Sequence, residues 1–180
     1  RLMSLLRDVV AVLQAEGIAH ALIGAAAMAV HGVSRATADV DLLTTDQRTL
    51  RAHLWKGLEA QGVRVHLLKG DDDDPLAGNV RLSLAGDRTV DVVVGRHEWQ
   101  REIIDVAPTL SIGDTTVKVV RPSGLVLLKL HAGGPKDAWD VRSLIESLEP
   151  AGPLEEEVDR MLPRLPAECQ RLWKRLRDEP

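Results

Sequence analysis

Three aspartates sit where carboxylates are expensive. Asp39 and Asp41 flank Val40 inside the run GVSRATADVDLL, residues 32–43, and Asp91 is the only acid in the valine-rich run RTVDVVVG. Burying an acid in a strand-like segment costs free energy unless something compensates it. In a strand, residues i and i+2 share a face. Asp39 and Asp41 therefore project side by side, about 6–7 Å apart at about 3.3 Å per residue, while Val40 points the other way. Two carboxylates so placed repel and raise each other's pKa unless a cation lies between them. A pair of divalent ions about 3.5–4 Å apart would engage both, and such pairs serve in-line phosphoryl-type displacements. If the Asp91 strand lies beside the Asp39–Asp41 strand, a third carboxylate completes the set. Hard oxygens with room for water and phosphate suit Mg²⁺, with Mn²⁺ the obvious substitute. The ordinary alternative for each acid is a solvent-facing strand position.

The residues upstream give that set a second ligand. In LIGAAAMAVHG, a short apolar run meets a small-residue helix at Gly24. A strand–glycine–helix turn offers backbone N–H groups and a positive helix end to an anion. Gly permits close backbone approach, and Ala25 to Ala27 leave it unobstructed. The competing reading is a tight turn with alanines packing a helix on the sheet.

The elements that must position these residues follow from periodicity. Leu2, Leu5, Leu6, Val9, Val10 and Leu13 recur at helical spacing, and Gly17 stops the pattern. HALIG and VDLLT read as strands, and Asp46 as the N-cap of a helix running to about Ala60. VRVHLLKG is a third strand. DDDDPLAGN reads as a solvated loop. VRLSLAG and RTVDVVVG form a hairpin about Gly86-Asp87, residues 97–105 a helix, and TLSIGDTTVKVV a second hairpin. From Pro122 the pattern is helical: 123–131, 136–148, about 153–162 and 166–177. The expected class is α+β: a mixed sheet flanked by helices over 1–120, then a helical part, 121–180, packed on that core.

Composition narrows the function classes. The chain has 180 residues, 44% apolar, with no Phe or Tyr and four Trp, so its core is aliphatic. A net charge of −4 gives no global basic field for nucleic acid. One cysteine, Cys169, provides no disulfide framework, which points to a reducing compartment and a cytoplasmic location. No run is long enough to span a membrane. The late basic residues, Arg160 to Arg177, are intermixed with acids and read as a solvated helix, with RNA contact as the alternative.

Together, Gly24-Ala25, Asp39-Val40-Asp41 and Asp91 resemble the nucleotidyltransferase superfamily with the DNA polymerase β-type fold. The spelling IGAAAMAVHGVSRATADVDLL looks like the small prokaryotic branch near the AbiEii-type toxin nucleotidyltransferases, with Arg35 and Thr37 in its Arg-x-Thr-x-Asp-hydrophobic-Asp run. LLKLHAGGPKDAWDVRSLIE, residues 127–146, resembles that branch's lysine-bearing helical block. The resemblance implies transfer of a nucleoside monophosphate from an NTP to an acceptor with two Mg²⁺. It implies that Asp39 and Asp41 hold both metals and that Asp91 binds the catalytic metal and helps activate the acceptor hydroxyl. Gly24 and Ala25 would cradle the triphosphate, with Arg35, Thr37, Lys129 and Lys136 as further nucleotide-binding residues. The acceptor is left open among an RNA end, a protein and a small molecule, and a toxin role would bring an antitoxin partner. Ala25 departs from the family's usual Ser or Gly and removes a side-chain donor to phosphate. A non-catalytic nucleotide-binding or partner-binding module that kept the fold is the second class.

Overall fold

The computed structural model describes residues 4–34, 37–148 and 150–178. The chain divides into two compact units. One comprises Arg1–Ala27 and Ala36–Val120, the other Met28–Arg35 and Arg121–Pro180.

The first unit is built on a five-stranded mixed sheet. Its strands are β1 (Ala21–Ile23), β2 (Asp39–Thr44), β3 (Arg64–Lys69), β4 (Leu76–Ser83) and β5 (Thr89–Gly95), in the spatial order β1-β2-β5-β4-β3. β2 and β5 pair parallel, and the other neighbours pair antiparallel. Side-chain alternation gives the sheet one apolar face. Val40, Leu42, Val80, Leu82, Val90, Val92 and Val94 are all fully buried. Helices α1 (Ser4–Ala15) and α4 (Glu98–Asp105) touch β5 and β2, and bring buried Leu5, Leu6, Val9, Leu13, Trp99, Ile103 and Ile104 to the core. A second hairpin, β6 (Thr109–Ile112) with β7 (Thr115–Lys118), joins the unit through a bridge from Leu22 to Val119. The first turn of α1 is capped from a distance: the Asp87 carboxylate, in the β4–β5 turn, accepts from the Leu5 N–H at 2.9 Å, which satisfies one of the donors a helix start leaves open.

Two segments differ from their sequence expectation. Asp46 does cap a helical turn, with its carboxylate accepting from Arg48 N–H at 2.9 Å, but no single helix runs to Ala60. Gln47–Leu50 and Ala52–Trp55 are 3₁₀ turns, separated by extended Arg51, and only α3 (Lys56–Glu59) is α-helical. Leu50 and Trp55 are both buried. Five residues apart, they cannot share one helix face, so the chain bends between them, and the Trp55 indole donates to the Thr49 carbonyl at 2.8 Å. The acidic loop is also shorter than expected. β4 already begins at Leu76, with an irregular register between Leu76 and Gly78 that accommodates the Pro–Leu–Ala–Gly run.

The second unit is helical: α2 (Gly24–Val30) runs into it from β1, and α5 (Pro122–Ala132), α6 (Pro135–Ser147), α7 (Gly152–Met161) and α8 (Ala167–Asp178) form its body. α5 ends at Gly133 in the left-handed region (φ 70°), and Pro135 opens α6, the expected punctuation of a tight helix–helix turn. The basic end of α8 is partly neutralised: Arg177 pairs with Glu155 at 3.2 Å and Asp159 at 3.0 Å. No helix among the described residues is long and apolar enough to cross a membrane.

Candidate active site

The polar face of the sheet carries the three aspartates. Strand register places Asp41 of β2 directly beside Asp91 of β5, and Asp39 beside Thr89. Paired residues share a face, so all three aspartates lie on the side opposite the valine core. The row continues across the sheet: Ile23 pairs with Asp41, Asp41 with Asp91, Asp91 with Arg81, and Arg81 with His66. One line of side chains thus runs from acid to base across all five strands. Val90 and Val92, on either side of Asp91, are fully buried on the other face, so a one-residue slip of β5 would put an acid into the core.

Gly24 closes the acidic end of this row. Its φ is +65°, a region that penalises any side chain. A Cβ there would also lie 3.0 Å from the Asp41 Cγ and 3.2 Å from its Cβ. The Asp41 carboxylate therefore rests against the glycine backbone where β1 turns into α2. Ala25, next along, is buried. Gly24→Ala is expected to lower stability by about 1–3 kcal/mol through backbone strain and displacement of Asp41, as read by urea denaturation.

Two residues beyond the sequence expectation hold the acids. Arg81 Nη2 lies 3.0 Å from Asp39 Oδ2 and 3.7 Å from Asp91 Oδ2. Asn79 Nδ2 donates to Asp91 Oδ1 at 3.0 Å, which fixes the orientation of a carboxylate that is only 7% exposed. Its own Oδ1 is buried without a hydrogen-bond partner. The free-energy cost of clustering the acids is thus offset by one guanidinium. The signal for both residues was present in NVRLS, where polar residues 79, 81 and 83 alternate with apolar ones, but their pairing with Asp91 depends on the fold. Among the described residues, no three carboxylate, imidazole or thiol groups converge closely enough to hold a metal ion. Asp39, Asp41 and Asp91 are nonetheless hard oxygen donors on one face of adjacent strands, the donor type a divalent cation prefers, with Arg81 as their present counter-ion.

The other expected nucleotide-binding residues are placed as follows. Thr37 is half-buried, and its hydroxyl donates to the Asp39 carbonyl at 3.0 Å and accepts from the Asp39 N–H at 3.2 Å. It shapes the entry to β2. Arg35 lies outside the described residues. Lys129 and Lys136 belong to the helical unit. Lys136 is exposed at the start of α6, whereas Lys129 of α5 is clasped by two carboxylates of α6, Asp137 at 2.9 Å and Asp140 at 2.8 Å.

Burial alone would lower the Lys129 pKa, but its bonds to Asp140 and Asp137 outweigh that and hold it above its ordinary value. Asp140 is fully buried, so Asp140→Asn weakens its hydrogen bond to Lys129 and leaves Asp137 as the carboxylate of the two that still holds the ammonium. The expected cost is about 1–3 kcal/mol, the range for a lost charge-assisted hydrogen bond. A raised folded pKa stabilises fully below the unfolded value of about 10.4 and is lost as pH rises through the folded value. The stability gap between wild type and variant should therefore hold at neutral pH and narrow only in strong alkali, as measured by denaturation across pH.

No family model matches the chain, and no curated protein matches it in sequence. Solved structures do. The solution structure of the antibiotic-resistance factor ANT(2'')-Ia matches with a TM-score of 0.55 at 16% identity, over 90% of this chain and 91% of that one. The crystal structure of ANT(2'')-Ia in complex with adenylyl-2''-tobramycin gives 0.55 at 17%, over 90% and 97%. An antigenic nucleotidyltransferase-like protein from Paracoccidioides brasiliensis gives 0.51 at 21%, over 95% and 91%. A five-stranded mixed sheet flanked by helices and followed by a helical unit, matched along nearly the whole chain, is the nucleotidyltransferase fold.

Proposed function

We propose that the protein is a metal-dependent nucleotidyltransferase that moves a nucleoside monophosphate from an NTP to an acceptor hydroxyl. The observation that carries this reading is the cross-strand pairing of Asp41 with Asp91, with Asp39 on the same face and the Asp41 carboxylate against Gly24. A divalent ion held by Asp39, Asp41 and Asp91 would polarise the α-phosphate and offset charge on the departing pyrophosphate. The N–H groups opening α2 at Gly24 and Ala25 face the phosphates. Asp91, steadied by Asn79, takes the acceptor's proton. The acceptor oxygen bonds to the α-phosphorus, the bond from that phosphorus to the bridging oxygen of the β-phosphate breaks, and pyrophosphate leaves. The sequence likeness over residues 23–43 supports a place near the AbiEii-type branch, and with it a toxin role and an antitoxin partner. Among the fold's relatives, the structure holding adenylyl-2''-tobramycin supports a small-molecule acceptor instead.

One observation favours a second reading, a nucleotide-binding module without catalysis: Arg81 already neutralises Asp39 and Asp91 as a cation would. Incubation with each α-³²P-labelled NTP, Mg²⁺ and either total RNA or a small-molecule extract separates the two. Label transferred by wild type but not by Asp41→Asn supports the enzyme. Label retained only as unreacted NTP in both supports the module.

A further inference from the structure

We infer that the groove at Arg81, the residue paired with Asp91, is an acceptor subsite for a phosphate-bearing molecule. The inference rests on the nucleotidyl-transfer reading, which puts the acceptor at Asp91. The basic end of the cross-strand row opens into a cavity of about 580 Å³, lined by Arg64, His66, Arg81 and Ser83, with Glu59 its one carboxylate. Register places Arg64 opposite Ser83 and His66 opposite Arg81, so the four lie as a compact patch on one face of β3 and β4. Three basic side chains gather here on a chain whose net charge is −4.

Two of the three have no local use. Arg64 and His66 are exposed, and neither makes a side-chain hydrogen bond or ion pair with another described residue. Arg64 is a guanidinium with no ion-pair partner among the described residues, Glu59 being the one carboxylate in the lining. An unpaired guanidinium favours an anion, with the His66 ring beside it as a further polar group. The guanidinium fork matches the geometry of phosphate oxygens. Strands are about 4.8 Å apart, so β3 lies about 10 Å from β5. A molecule of that length reaches Asp91 with a hydroxyl while its phosphate rests on Arg64 and His66. The cavity volume falls in the range that holds a compact ligand. A polycation such as tobramycin would meet like charge there, which costs affinity.

The test is an NMR titration of the ¹⁵N-labelled chain without metal. Ribose 5-phosphate and a single-stranded RNA tetramer are the two phosphate-bearing probes, with ribose and tobramycin as controls. Saturable shifts at the Arg64, His66 and Ser83 amides are expected from at least one phosphate probe. Affinity should fall at least tenfold in the Arg64→Gln/His66→Gln variant, whose surface substitutions leave the core intact. A response to ribose 5-phosphate identifies a small phosphorylated acceptor, and a response to the tetramer alone identifies a strand end. No shift at these amides with either probe, or equal shifts with ribose or tobramycin, would overturn the subsite. Mg²⁺ with an NTP, added to the same samples, reads the Gly24, Asp39 and Asp41 amides separately. A silent groove with responding nucleotide residues removes the subsite alone. A groove that binds phosphate while those residues stay unmoved removes the acceptor assignment with the transfer reading.

Discussion

Asp91→Asn is expected to lower turnover by about 10²–10⁴-fold, the usual contribution of a positioned general base, with little change in NTP binding. Asp91 sits in the middle of the cross-strand row, between Asp41 and Arg81, and Arg81 lines the basic groove. The proposed function assigns it to the acceptor, so the loss of Asp91 should be felt in the transition state more than in the nucleotide complex. Asparagine keeps the shape and can still accept from Asn79, whose Nδ2 lies 3.0 Å away, so the fold should survive. The measurement is kcat and NTP affinity side by side on matched protein. An Asp91→Asn protein with wild-type turnover would remove the third carboxylate from the mechanism. A parallel loss of NTP binding would move Asp91 from the acceptor side to the nucleotide side.

The second large effect is thermal. Mg²⁺ with a nucleoside triphosphate at a hundredfold excess over its Kd should stabilise the folded chain by about 2.7 kcal/mol. For a chain of this size that is a rise of about 5–11 °C in Tm. Asp41→Asn should abolish the rise, because Asp41 is at once a candidate ligand and the side chain seated on Gly24. Asp39→Asn should reduce it as well, and with Asp39 gone Arg81 keeps only its 3.7 Å contact to Asp91. An equal shift in wild type and both variants would place the ions elsewhere. The Asp71–Asp74 loop is then the first suspect. There, Asp71 already accepts from the Asp73 N–H at 3.1 Å, which gives the loop its own use for that carboxylate.

Local spacing made much of this protein legible. Alternation about Val40, Val90 and Val92 set which way Asp39, Asp41 and Asp91 must point, because a strand offers only two faces. Gly24 announced a turn that side chains disfavour, and Gly133-Gly134-Pro135 marked the break between two helices. Those features depend on a few neighbouring residues, so a sequence can state them. Where contacts come from far along the chain, the sequence was silent or misleading. Asp46 began a helix that the burial of both Leu50 and Trp55 then broke into short turns. That Asp137 and Asp140 of α6 both pair with Lys129 was also not legible from spacing. Arg81 and Asn79 carried no mark beyond strand alternation. Only the antiparallel register of β4 on β5 turned them into the counter-ion and the orienting donor of the acids. The parallel pairing of β2 with β5 joins residues about fifty positions apart. The sequence supplied the carboxylates and their direction, whereas long-range strand pairing decided their partners, because register is an energy of the assembled sheet rather than of any one strand.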